Sequence, residues 1–374
     1  MDEDRLKPLE GIRVLDFSNV PPGAACATLL ADLGAEVVRV DPPKAKGKPS
    51  LVIGQVALSR GRKSIALDMR NPAANAVLAR LAPGFDVVLE NAFPGVMEQR
   101  GFGYAQARAA NPGIIWCALT GFGQDGPYAA WSGHDISYLA HAGVLSALTA
   151  DRAWHPGLPI ALQAGALSAV AGIEAALIRK LRTGKGAFLD ISLAEAAGWL
   201  LTCGVNAISD KPFAIPATPD RHQYACADGR WVVVACAEPR TWGALCAGLG
   251  CEDLTGQLHA WQDIPGTIAR LAGLFRARPA AEWVALLAPA GAAVTVLNHA
   301  AQLLDDPHIR ARGAVVDVAG VPVPASPLRV IDQDRSSGTD RTPPAVAGAD
   351  TGAILSSAGF AADEIARMAG EGLI

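Results

Sequence analysis

Along the first half of the chain, short β-branched apolar runs alternate with stretches of helical period. Ile12–Asp16, Glu36–Val40, Ser64–Leu67, Asp86–Leu89 and Ile114–Leu119 are brief and apolar, as expected of strands covered on both faces of a parallel sheet. Between the first two, Gly23–Leu33 places Ala25, Cys26, Leu29, Leu30 and Leu33 on one face, which is the helical rather than the strand period. The repeated alternation predicts a doubly wound α/β domain. Ala161 to Arg182 reads as one long helix, closed by Thr183-Gly184-Lys185-Gly186, with cations in its last turn where the helix dipole favours them. A strand at Phe188–Ile191 and a helix at Leu193–Ala207 follow.

The texture then changes. Lys211 to Pro219 carries three prolines, so residues 201–222 read as a linker between a large domain over 1–200 and a smaller α+β domain over 223–315. In the smaller domain, Tyr224–Cys226 and Trp231–Cys236 flank Asp228-Gly229, a hairpin signal. Helical patterns recur near Arg240–Gly248, Ile264–Arg276 and Ala280–Leu287. Proline-rich loops lead from Gly320 to a last helix near Ala361–Met368.

Composition narrows the field. The 374 residues are 51% hydrophobic and 18% charged with a net charge of -4, so nothing draws the whole molecule to nucleic acid or membrane. An anionic ligand must be held by a local basic patch. The charged opening Met1–Glu10 has no apolar core of a secretory signal, which points to the cytoplasm. Ile160–Ile178 approaches the ~20 residues of a membrane span, but Gln163, Ser168 and Glu174 interrupt it, and a buried helix is expected. Seven scattered cysteines without a C-x-x-C pair read as reduced thiols, with neither disulfides nor a metal site.

The pattern G-x-G-x-x-G occurs at Gly121–Gly126, but Pro127 follows it where a dinucleotide-binding fold needs a helix. Gly121 and Gly123 instead suit a loop that brings backbone N–H groups close to a ligand. Arg39, Lys44, Lys46, Lys48, Arg60, Arg62 and Lys63 cluster in the loops after the second strand and around the third, a patch suited to polyphosphate. His134 opens the run Gly133-His134-Asp135-Ile136-Ser137-Tyr138-Leu139.

That run, with Thr120–Tyr128 before it, resembles the class III CoA-transferase family, and its G-H-D-I-x-Y-L stretch resembles the α-methylacyl-CoA racemase branch most. Leu9–Asp16 and Ala31–Asp41 are similar to the family's first two strands, Pro94-Gly95-Val96 to its R-P-G turn, and Tyr224–Val234 with Ala237-Glu238-Pro239 to the start of its small domain. Asp306-Pro307-His308 matches the return to the large domain. The resemblance implies a Rossmann-like large domain built from both chain ends, with 316–374 returning to it, a small α+β domain between, and an interlocked homodimer. It implies an acyl-CoA thioester as substrate, with coenzyme A as part of that substrate and no tightly bound cofactor. The contacts to CoA would come from Arg39, Lys46, Arg60, Arg62, Gly121, Gly123 and Tyr138.

Racemisation beside a thioester carbonyl needs a base on one face of the α-carbon, an acid on the other, and donors for the enolate. By the resemblance His134 takes one of these roles, and Glu238 matches a glutamate that orients it. The family's second group is an aspartate at a helix start, and an ungapped match puts Ala161 there. No Asp or Glu occurs from Arg152 to Ile173, which leaves Asp135, Glu174 or Glu238 to replace it. In the transferases the same aspartate is the nucleophile that forms acyl anhydrides. Phe93 also departs, standing where the family often has an arginine that helps hold CoA. The function implied is racemase-like or isomerase-like proton transfer on a CoA thioester. The alternatives are CoA transfer between an acyl-CoA and a carboxylic acid, or a non-catalytic acyl-CoA-binding subunit paired with an aspartate-containing paralogue.

Overall fold

A computed structural model describes residues 7–148, 155–203, 217–328 and 339–374. They divide into two compact units, one within Met1–Phe213 and His308–Ile374, the other within Ala214–Pro307.

The first unit is built on six parallel strands: β1 (Arg13–Asp16), β2 (Glu36–Asp41), β3 (Arg62–Ala66), β4 (Val87–Glu90), β5 (Ile115–Thr120) and β6 (Ala187–Ser192), in the order β3-β2-β1-β4-β5-β6. Leu15 of β1 stands between Val38 and Val88. Alternate side chains enter two separate cores. Val14, Val37, Val87 and Ile115 face a layer containing Leu30 and Ile173, whereas Leu15, Val38, Val88 and Trp116 face Leu78, Phe102 and Met368. Helices cover both faces, which is why the inner strands β1, β4 and β5 read as nearly unbroken apolar runs.

The helix Ile160–Thr183 is long and apolar enough to cross a membrane by length and composition. Here Ala166, Ala169, Val170, Ile173 and Leu177 pack into the first core beside the helix Pro21–Asp32. Gly184, left-handed at φ 69°, ends the helix and donates its N–H to the Lys180 carbonyl at 2.8 Å. At Gly186 a Cβ would stand 1.8 Å from the Ile114 carbonyl oxygen, so only glycine lets the chain enter β6 this close to β5. The helix Leu193–Trp199 passes into a tighter turn at Leu200–Cys203. Residues 204–207 of the expected helix, and 204–216 of the expected linker, lie outside the described residues.

The second unit has an antiparallel sheet of β7 (Arg221–Ala225), β8 (Trp231–Ala235) and β9 (Val294–Val296). The helices Pro239–Leu249, Ile264–Phe275 and Ala280–Leu287 share a core with it, including Tyr224, Val232, Val234, Trp242, Phe275 and Leu287. The third strand, of three residues, was too short to read from period.

The stretch from Gly320 differs from the expected loops. β10 (Val315–Val318) and β11 (Val321–Pro324) form a hairpin, and a further helix, Thr351–Ser357, precedes Ala362–Gly370. Ala319 (φ 53°) and Gly320 (φ 82°) are both left-handed, as a two-residue hairpin turn requires. A two-stranded sheet has only edges, so Pro322 and Pro324 are tolerated in it.

Candidate functional site

The carboxyl ends of β1, β2 and β4 open onto a pocket of about 710 Å³. From β1 the chain runs outward to β3, then restarts at β4 on the other side of β1. Open α/β sheets bind ligands in the crevice that this reversal leaves. Phe17, Val40, Leu67, Met69 and Ala92 give the pocket an apolar lining, while Ser18, Arg39, Lys44, Arg70 and Arg100 supply a hydroxyl and four cations.

Arg39 is 9% exposed. Its Nε lies 3.3 Å from Asp41 Oδ1, an ion-pair distance without hydrogen-bond alignment, and its Nε and Nη1 have no hydrogen-bond partner among the described residues. The other oxygen of Asp41 already accepts the hydroxyls of Ser50 (2.5 Å) and Ser64 (2.6 Å). Ser18 Oγ is likewise buried without a partner among the described residues. A buried donor left unpaired costs about 1–3 kcal/mol, so such groups on one pocket wall suit a ligand rich in acceptors.

Glu90 also lines the pocket, at 5% exposure. Its Oε2 accepts the Ala92 N–H at 2.7 Å, and the Trp116 indole lies against the same carboxyl. Burial pushes its pKa up to about 7, and the nearby Glu98 charge acts in the same direction. Sequence reasoning missed this residue. The signal was a carboxylate closing the apolar run of a strand buried on both faces, where unpaired charge is rare.

The expected basic patch separates into two groups. Arg39 lines the pocket, and so does Lys44, whereas Lys46 is exposed outside its lining. Arg60 and Arg62 point into the protein. Arg60 grips the Asp32 carboxylate with both terminal nitrogens and donates to the Asp340 carbonyl at 3.0 Å. Arg62 donates to Asp16 Oδ2 at 3.1 Å, to Thr28 Oγ1 at 2.8 Å and to the carbonyls of Ala24 and Leu58. Burial raises the pKa of Asp16 and of Asp32 despite these arginines. Phe93 lines the pocket mouth, half-exposed.

His134 is the exposed residue immediately before the helix Asp135–His141, and its N–H points to Ser137 Oγ at 3.4 Å. The next residue anchors it. Asp135 accepts the N–H of Ile160 at 3.2 Å and of Leu162 at 2.9 Å, so its carboxylate caps the helix that contains Ala161. Tyr138 secures the other side by donating its hydroxyl to the Gly133 carbonyl at 2.7 Å. Its ring meets Phe122 edge-on at 5.3 Å, and burial with the Asp135 charge raises the phenol pKa.

The glycine loop is fitted to that ring. A Cβ at Gly121 would stand 2.7 Å from Tyr138 Cε1, and the Gly121 carbonyl accepts the Ala194 N–H at 3.0 Å. Gly123 is left-handed at φ 86°, and the following Gln124 N–H donates to Asp190 Oδ2 at 3.0 Å. Gly121, Gly123, His134, Asp135 and Tyr138 therefore form one connected region around the start of the 160–183 helix. Glu174, two-thirds along that helix, has its pKa raised by burial. In the second unit, exposed Glu238 precedes the helix Pro239–Leu249 and accepts the Thr241 hydroxyl on Oε2 at 3.0 Å.

Residues 9–351 match the family model described as CoA-transferase family III. The chain is similar to alpha-methylacyl-CoA racemase of Homo sapiens, 32% identical over 380 residues that cover 98% of this chain and 97% of that protein. It is 28% identical to acetyl-CoA:oxalate CoA-transferase of Acetobacter aceti over 352 residues, covering 87% and 90% of the two chains. Among solved structures, a CAIB/BAIF family protein from Brucella suis superposes with a TM-score of 0.78 at 27% identity, over 95% of this chain and all of that one. A match running from the first strand to the penultimate helix, on the same parallel-sheet architecture, makes this chain a member of CoA-transferase family III.

Proposed function

We propose that this protein is a cytoplasmic acyl-CoA-processing enzyme that moves a proton at the carbon next to the thioester carbonyl. The observation that carries the reading is the buried Arg39 guanidinium, with two unpaired nitrogens, on the wall of a pocket at the reversal of the parallel sheet. A CoA phosphate there satisfies both. His134 is the proton-transfer residue, because an imidazole ring has one nitrogen that can accept a proton and one that can donate it. Asp135 and Tyr138 position it through the bonds that hold its segment, and Gly121 and Gly123 offer backbone N–H groups toward the thioester. Glu238 orients the imidazole from the small unit of a second copy in an interlocked homodimer. Arg60 and Arg62 support the pocket from within rather than touch the ligand.

The relative that transfers CoA to oxalate favours a transferase as the second reading. Ala161, whose methyl group cannot form an acyl anhydride, counts against it. The test is deuterium exchange at the α-carbon of 2-methylacyl-CoA in heavy water. Exchange is expected with the wild type and a loss of at least about 100-fold with His134→Ala. No exchange across a broad panel of thioesters rejects the reading, and CoA transfer between two acids in the same assay establishes the second one.

A further inference from the structure

The pocket at the ends of β1, β2 and β4 contains a buried carboxyl with no cation to balance it. Glu90 forms no ion pair among the described residues, and its only backbone hydrogen bond there is the Ala92 N–H at 2.7 Å. Trp116 of β5 contributes an indole. None of the cations that line the pocket pairs with Glu90 among the described residues. Arg39 lies 3.3 Å from Asp41 on β2 with Nε and Nη1 still without hydrogen-bond partners, Arg70 donates to Asp68 after β3, and Lys44 and Arg100 are exposed. Glu98, on the short helix Val96–Gln99, adds a further negative charge.

We infer that Glu90 couples binding of a phosphate-bearing ligand in this pocket to uptake of one proton. This rests on the reading above, in which the pocket takes the nucleotide end of CoA. An anion entering the pocket meets an ionised Glu90 within an apolar lining of Phe17, Val40, Leu67 and Met69, which screens like charges less than bulk water does. The bound state therefore holds the proton more tightly than the free state. Burial already brings the free carboxyl to about 7, so the linkage falls within the physiological range.

The sign follows. Below about pH 7 Glu90 is protonated in both states and affinity is flat; above it, binding must take up a proton and affinity falls, by at most about tenfold per pH unit. Dephospho-CoA is the suitable probe, because the phosphate monoester of CoA itself titrates near pH 6. Calorimetry with the full-length protein from about pH 7 to about pH 8.5, in two buffers of different ionisation heat, reads affinity and proton uptake together. The wild type is expected to weaken with rising pH and to take up close to one proton, whereas Glu90→Gln binds with no such slope. A flat wild-type profile without proton uptake, or a slope that survives in Glu90→Gln, overturns the inference. Binding that is absent, or that is indifferent to Arg39→Gln, overturns the underlying reading together with it; binding that needs Arg39 and is still flat overturns the inference alone.

Discussion

Arg62 shows how differently one residue type can serve within a single basic cluster. It opens β3, and its guanidinium spreads over Asp16 at the end of β1, Thr28 and two carbonyls, while Asp16 in turn accepts the Ser18 N–H at 2.8 Å. Arg62→Met leaves that carboxylate buried without its cation. A loss of roughly 3–5 kcal/mol is expected, measurable by chemical denaturation, and a loss below 1 kcal/mol, together with weakened ligand binding, would return Arg62 to the binding surface. Arg39 and Arg62 could not be told apart in the sequence, since both are arginines beside apolar strands. On β2 the chain places Arg39 at the carboxyl end of the strand, facing the pocket, whereas Arg62 opens β3 and points inward. Position along a strand decided between pocket wall and interior. The proton-linked behaviour of Glu90 belongs to this scale too, because it arises from one carboxyl and its missing counter-charge.

At the scale of elements, the informative junction is between the helices Asp135–His141 and Ile160–Thr183. Their link is a side chain of one capping the other, over a separation of 25 to 27 residues. Asp135→Ala removes the acceptor for two first-turn N–H groups and is expected to cost about 1–2 kcal/mol. It also frees the His134 backbone, so the exchange rate at the α-carbon falls further than the stability loss alone explains. Equal stability of Asp135→Ala and wild type in thermal melts would show that the cap contributes nothing. The long helix was legible because its period persists and Gly184 stops it cleanly. The last hairpin was not, because its prolines resemble loop punctuation until two edge strands are seen to accommodate them.

For the whole molecule, Leu158 (72% exposed), Leu181 (84%) and Trp199 (72%) leave large apolar side chains on the surface of the first unit. An interface between two copies would bury such groups at a gain of ~25 cal/mol per Å². Sedimentation is expected to find twice 38.6 kDa at all practical dilutions, and a monomer throughout would remove the partner-supplied Glu238 from the mechanism. By itself, the sequence determined the parallel α/β core, the helix that holds Ala161 and the family, because apolar period and contiguous motifs are local properties of the chain. Only the tertiary structure decided which arginines line the pocket, that Asp135 is the cap of a distant helix, and that Glu90 sits uncompensated in the pocket. Each of those depends on which strand ends the fold brings together and on how much water it excludes between them, and neither quantity is written in the local order of residues.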